Sequence, residues 1–162
     1  LYVKALGDFT SSLQSLKPDT IAEIEGAFGR FIPARYGTAA QIWIAGGIGI
    51  TPFLSMARSL HDLPQKIQLI YSVRTRSEMV EFSVLKDFLP KNYNNFTFIP
   101  YITDEENGKF LDADFIDKTV GGFSGKEIFI CGPPPMMQSM KKQLRAKQVP
   151  KRRIHSEEFA MT

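Results

Sequence analysis

The sequence holds a single cysteine, Cys131, and two histidines, His61 and His155, placed far apart. One cysteine excludes an internal disulfide and a Cys-based metal centre. Two lone imidazoles are too few to hold a metal, so no metal site is expected. So little cysteine suits a reducing compartment. No apolar run approaches the roughly 18 residues that a membrane-spanning helix needs. Charge of one sign is also lacking: 20 Lys and Arg against 17 Asp and Glu leave a net +3. So mild a balance gives no reason to expect nucleic acid as a partner. There is no initiator Met and no signal pattern, and Leu1 falls inside a strand-like run. The chain is therefore expected to be part of something longer.

What is present has the composition of a folded globular chain. Of its 162 residues 43% are apolar and 23% charged, enough to bury a real core. "LYVKAL" (Leu1–Leu6) and "TIAEIEG" (Thr20–Gly26) alternate, which predicts two half-buried strands. Between them the Thr/Ser cluster of "GDFTSSLQSL" predicts the start of a short helix. "RFIPARYGTAA" carries Pro33 and Gly37 and is expected to be a linker.

After Gly37 the rhythm changes. Apolar strands are predicted over 41–45, 66–73, 95–103, 126–131 and 152–159. Helices are predicted over 51–62, 78–89 and 134–147, with a weaker one over 112–118. Strands alternating with helices imply right-handed βαβ units and a parallel sheet. The expected fold class is α/β. Such sheets bind ligands beyond the carboxyl ends of their strands, at the switch point. The first and fourth of these strands end in "GGIGITP" and "CGPPPMM". If they are neighbours, both segments line one crevice.

Glycine lacks Cβ, so Gly46, Gly47 and Gly49 permit positive φ and close approach of a ligand to the backbone. Thr51 suits an N-cap and Pro52 the first helical position. Free N–H groups and the positive end of a helix dipole would then face an anion such as a pyrophosphate. The dinucleotide fingerprint wants a third glycine in the first helical turn, where Pro52 and Phe53 stand, and no Gly-Lys-Ser/Thr follows to make a P-loop. A tight turn that binds nothing is the other reading of this loop alone. In "CGPPPMM", Gly132 again permits close approach and the prolines stiffen the exit before a helix. Cys131 reads equally as a small buried apolar residue. No histidine adjoins it in sequence, which argues against a nucleophile.

The two loops together, in this order, resemble those of the ferredoxin–NADP reductase superfamily. The resemblance implies a doubly wound parallel five-stranded sheet over 38–162 as the NAD(P)H-binding domain. It implies that residues 1–33 are the last strands of an FAD-binding β-barrel. By the same resemblance Gly46, Gly47, Gly49, Thr51 and Pro52 hold the cofactor pyrophosphate. Cys131, Gly132 and Pro133 lie under the nicotinamide. Thr51 and Cys131 flank the hydride-donating carbon and position it, which is itself a large rate factor, while the flavin supplies the chemistry. "VKALGDFTSSL" is similar to the family's flavin-pyrophosphate turn, with Gly7, Thr10 and Ser11 at the matching positions. "GAFGRF" (Gly26–Phe31) resembles the segment that closes the barrel. The family's Arg-x-Tyr/Phe-Ser/Thr flavin clamp is absent upstream, and "ARYG" at Ala34–Gly37 does not replace it. Phe159 matches the residue that stacks on the flavin, with Glu157 two residues before it; a core phenylalanine at the edge of the last strand is the alternative.

"ALGDFT" and "EEFAMT" look most like bacterial relatives of NADPH oxidases and ferric reductases. That resemblance implies a transmembrane haem domain in the same parent chain, at the cytoplasmic side of a cell membrane, this part itself being soluble. A soluble flavin or ferredoxin-type reductase and a non-catalytic nucleotide-sensing module are the alternatives. The adenosine end of the cofactor should lie past the second strand, at Ser72, Arg74 and Arg76, where no acid precedes Glu78. Arginine suits a 2′-phosphate and a carboxylate suits the 2′-hydroxyl, so NADPH is expected, with NADH as the other cofactor. The acids Asp104, Glu105 and Glu106 are expected to face solvent. The basic run between Lys141 and Arg153 is expected to be a solvated face, attraction to an anionic membrane being the sharper alternative.

Overall fold

The computed structural model describes residues 7–23, 31–37, 39–58, 65–79 and 95–157. By contact the chain divides into two compact units, Leu1–Arg30 and Phe31–Thr162. The strand expected over 1–6, the segment 26–30, most of the helix expected over 78–89, and Phe159 lie outside the described residues.

In the first unit, helix α1 (Asp8–Ser12) starts from Gly7. The Gly7 N–H donates to Thr10 Oγ1 at 3.1 Å, and that hydroxyl donates back to the Gly7 carbonyl at 3.2 Å. The helix thus begins ahead of the Thr/Ser cluster expected to start it. The strand expected over Thr20–Gly26 is not formed where it is described: residues 20–23 are irregular and Ile21 is 97% exposed. An alternating pattern becomes a strand only where a partner strand takes its N–H and C=O groups.

The second unit is a parallel sheet of β1 (Gln41–Gly46), β2 (Ile67–Val73), β3 (Phe96–Ile102), β4 (Glu127–Cys131) and β5 (Ile154–Glu157), in the order β3-β2-β1-β4-β5. Each strand falls within or beside the apolar run that predicted it. Central β1 is buried along its whole length, as a strand covered on both faces must be. Its period of two divides the core. Trp43 and Ala45 point to one face, with Phe53, Leu54 and Ala57 of α2 (Thr51–Arg58). Ile42 and Ile44 point to the other, with Ile116 of α3 (Ala113–Val120) and Met137, Met140 and Leu144 of α4 (Pro134–Ala146). Helices on both faces make the sheet doubly wound.

The segment expected to be a linker is packed instead. Pro33–Tyr36 form a 3-10 turn. Phe31 lies edge-on to Phe53 and Phe129, with centroids 5.6 and 5.3 Å away. Tyr36 Oη lies 3.1 Å from His155 Nδ1, and His155 Nε2 lies 2.7 Å from Glu127 Oε2. Two aromatic side chains outweigh the loop signal of Pro33 and Gly37, because burial of such rings is worth several kcal/mol.

Helix α3, the weakest in sequence, is held by its ends. Asp112 caps it by accepting from the Phe115 N–H at 2.8 Å. That bond, and then Lys109, lower the Asp112 pKa from its ordinary value. At the other end Lys126 Nζ donates to the carbonyls of Val120 and Gly122, each at 2.6 Å. Asp112→Ala is expected to cost about 1 kcal/mol, read by urea denaturation near neutral pH. A depressed carboxyl pKa stabilises the fold above its unfolded value, and that stability is lost as pH falls through the folded one. The difference between Asp112→Ala and the parent should therefore shrink on acidification below about pH 4.

Candidate functional site

β1 and β4 lie side by side, with Ala45 opposite Cys131. From β1 the chain winds outward to β2 and β3, then returns to β4 and winds the other way to β5. The winding reverses between β1 and β4, which makes their carboxyl ends the switch point. Both glycine segments leave the sheet there.

The two segments are in close contact. A Cβ on Gly49 would stand 2.3 Å from the Cys131 carbonyl oxygen. One on Gly46 would stand 2.3 Å from Met136 Sδ, and one on Gly132 would stand 3.1 Å from Gly46 Cα. The expectation that all these glycines leave room for a ligand is corrected: three of them let one loop seat against the other. Gly47 is different. Its φ is +51° and nothing lies within 4 Å of where a Cβ would be, so its conformation needs glycine and its outer side is open.

The helix also starts earlier than expected. Gly47–Ile50 form a 3-10 turn that runs straight into α2, capped by extended Gly46 at φ −121° and ψ 118°. Thr51 is already helical, and its N–H donates to the Ile48 carbonyl. It is not the N-cap, and Pro52 is not the first helical residue. Glycine can enter a tight turn at angles that a threonine resists, so the turn forms over the glycines themselves. The N–H groups left without an intrahelical partner at this head are those of Gly47 and Ile48. Gly47 is half-buried and Ile48 exposed. The head of α4 offers less, because Pro134 and Pro135 lack N–H groups and the Met137 N–H is taken by the Pro133 carbonyl. Of the two loops, the one after β1 is the better anion cradle.

Cys131 is fully buried. Burial, with the Glu157 carboxylate adding to it, pushes the thiol from an ordinary 9.0 up to about 12. Glu157 is its register partner on β5. Cys131 is therefore a neutral, unreactive thiol.

At the other side of β1, Ser72 stands opposite Gly46. The carboxyl edge thus runs from Ser72 and the arginines beyond it, across the glycine turn, to Cys131 and Glu157. Strand spacing makes that span about 14 Å from β2 to β5, long enough for an extended ligand. Arg74 and Arg76 are both engaged. Arg76 makes a fork-to-fork pair with Glu105, Nε to Oε1 at 2.9 Å and a terminal nitrogen to Oε2 at 2.8 Å. Arg74 Nε lies 3.7 Å from Asp104 Oδ1, and the Arg74 N–H donates to Glu78 Oε2 at 3.3 Å. Asp104 and Glu105 face solvent as expected, but they also face the arginines. Sequence reading missed this, although "TDEENG" ends the strand next to β2 in a parallel order. Met136 over Gly46 was missed as well, since its helical spacing reads as core.

Gly7, Thr10 and Ser11 belong to the first unit. Thr10 and Gly7 satisfy each other, and the Ser11 N–H donates to the Gly7 carbonyl at 2.9 Å. These hydrogen bonds close the start of α1.

Residues 43–142 match the protein family described as the oxidoreductase NAD-binding domain. The chain is 27% identical over 147 residues to the electron transfer component of a 2-halobenzoate 1,2-dioxygenase from Burkholderia cepacia, covering 85% of this chain and 42% of that protein. It is 30% identical over 150 residues to NADH-cytochrome b5 reductase 2 of Candida glabrata, covering 85% and 49%. The chain thus spans less than half the length of these relatives. Its fold is shared with a flavohemoglobin from Malassezia yamatoensis, at a TM-score of 0.74 and 21% identity over 99% of this chain and 43% of that one. Sheet order, switch point and family match agree: this chain belongs to the oxidoreductase NAD-binding domains of the ferredoxin–NADP reductase superfamily.

Proposed function

We propose that residues 38–162 bind NAD(P)H across the carboxyl ends of β2, β1 and β4, and that residues 1–33 are the tail of the flavin-binding barrel it serves. The observation that carries this is the meeting of two glycine segments at the β1–β4 switch point, where the Gly47 and Ile48 N–H groups stand outside the hydrogen bonds of their own helical turn. The residues suit a diphosphate: Gly47 is open on its outer side and stands in the first helical turn ahead of α2. When bound, NAD(P)H would supply a hydride, for which an FAD in the barrel would be the acceptor.

The residues of this chain bind and aim. Gly46, Gly47, Gly49 and Pro52 shape the diphosphate turn. Thr51 and Cys131, with Gly132 and Pro133, set where the nicotinamide lies. Cys131 does this as a neutral group, so no proton passes through it. By the family resemblance Phe159 would stack on the flavin, with Glu157 two residues before it.

The finer assignment places the parent protein among NADPH oxidase and ferric reductase-like flavocytochromes. There a transmembrane haem domain would take single electrons from the flavin and pass them to oxygen or ferric iron. It rests on "ALGDFT" and "EEFAMT". Among the described residues no helix is long and apolar enough to cross a membrane. A second reading is a reductase that passes electrons to an iron–sulfur partner or to free flavin. The relative named as an electron transfer component of a dioxygenase favours it. Incubating the chain with NADPH or NADH and added FAD, and following loss of the reduced nicotinamide's absorbance, tests the shared core of both. Nucleotide binding with flavin-dependent oxidation is expected. Binding without oxidation would leave only a nucleotide sensor, and no binding of either nucleotide would remove the reading altogether.

A further inference from the structure

We infer that the turn after β3 sets the choice between NADH and NADPH, with Asp104 and Glu105 occupying the arginines that a 2′-phosphate would need. This rests on the proposed reading of the carboxyl edge as a dinucleotide site. It goes beyond that reading by naming the residues that decide which dinucleotide is taken.

The placement of the acids is built into the backbone. The Thr103 N–H donates to the Val73 carbonyl at 3.0 Å, and the Asp104 N–H to the Arg74 carbonyl at 3.1 Å. The hydrogen bonding of β2 to β3 thus continues past the strands and sets residue 104 beside residue 74. The turn then closes on itself. The Glu106 N–H donates to the Ile102 carbonyl at 3.2 Å and the Gly108 N–H to the Thr103 carbonyl at 2.9 Å. Asn107 and Gly108 take positive φ to allow it. Its far side is pinned: Tyr101 Oη donates to the Lys109 carbonyl at 2.9 Å, and Lys109 Nζ pairs with Asp112 at 2.9 Å. Glu105 therefore meets Arg76 from a fixed turn. The pair is bidentate, the arrangement in which a guanidinium binds a carboxylate best and is least free to bind a phosphate.

Charge points the same way. Residues 74–78 carry Arg74, Arg76 and Glu78, and residues 104–106 carry Asp104, Glu105 and Glu106. Two cations thus share a small surface with four carboxylates. A 2′-phosphate brings nearly two further negative charges, and a 2′-hydroxyl brings none. The phosphate must displace Glu105 and then sit beside it. A neutral ribose edge pays neither cost. The arginines that suggest NADPH in the sequence are, in the fold, already answered.

The test is a calorimetric titration of this chain with NADP⁺ and with NAD⁺, in the parent and in Glu105→Gln, Asp104→Asn/Glu105→Gln and Glu106→Gln. The parent is expected to bind NAD⁺ at least as tightly as NADP⁺. Releasing Arg76 should raise NADP⁺ affinity about fivefold to tenfold, since the pair is exposed and screened, with NAD⁺ unchanged within about twofold. The double variant should gain more, and adding Arg76→Ala should remove the gain. Glu106 makes no ion pair with either arginine among the described residues and serves as the charge control, so Glu106→Gln should leave the ratio where it is. Repeating the series with 2′,5′-ADP against 5′-AMP reads the adenosine end without the nicotinamide. An unchanged ratio in both Glu105 variants, or an equal shift in Glu106→Gln, overturns the inference and leaves the dinucleotide site standing. Failure of every protein to bind any of the four probes overturns both.

Discussion

Gly49→Ala is expected to cost the fold about 3 kcal/mol and to weaken NAD(P)⁺ binding at least about tenfold. The added methyl would stand 2.3 Å from the Cys131 carbonyl oxygen and 2.5 Å from its carbon. Both are main-chain atoms of the strand next to β1, so no rotamer can move them aside. Relief requires the turn after β1 to lift from the end of β4. That would separate the two segments whose contact shapes the proposed site, and shift the Gly47 and Ile48 N–H groups with the turn that carries them. Gly47→Ala is the informative contrast. There the space is open, and the substitution costs only the strain of a positive φ, about 1 kcal/mol. Denaturation midpoints should therefore rank parent, Gly47→Ala, Gly49→Ala, while both variants bind nucleotide more weakly. A Gly49→Ala protein as stable as the parent would mean that the two loops do not bear on each other.

These two glycines also mark how far the sequence could be read. Strand positions and both core faces were open to inference, because β1 and β4 are short apolar runs and the helices after them carry apolar residues at helical spacing, whereas the adjacency of β1 and β4 was only a condition until the fold supplied it. Periodicity reports burial, and burial is what holds Trp43 against Phe53 and Ile44 against the opposite layer. The site was legible only as residue types. "GGIGITP" announces a backbone that must do something a side chain would prevent. Whether that is a ligand's approach or a neighbouring loop's depends on what lies across from each glycine. Gly49 faces Cys131 and Gly47 faces outward, a difference set by tertiary contact. The arginines fail in the same way. No pattern between Tyr71 and Met79 tells that β3 will deliver Glu105 to Arg76, because the partner lies 29 residues on. In the first unit the alternation of Thr20–Gly26 does not make a strand over residues 20–23, the part of it that is described.

Cys131 should react with iodoacetamide about a thousandfold more slowly in the folded chain than after unfolding, at any pH below about 9. The reason is the thiolate population. A thiol raised from 9.0 to about 12 ionises a thousand times less in that range, and its full burial slows the reagent further. The stability consequence has a definite sign. The folded state keeps its proton where the unfolded chain has lost it, so the contribution is whole below pH 9 and falls as pH rises towards 12. Cys131→Ser should remove part of that alkaline loss. If the residue positions the nicotinamide through its shape, Cys131→Ser should also lower the rate of flavin reduction while leaving the pH profile between about 6 and 9 flat. A new ionisation in the parent's profile within that range, absent from Cys131→Ser, would show a thiolate at work. Fast alkylation of the native protein would show that the carboxyl end of β4 is open to solvent, and the tight seat of Gly49 on Cys131 would then have to be given up as well.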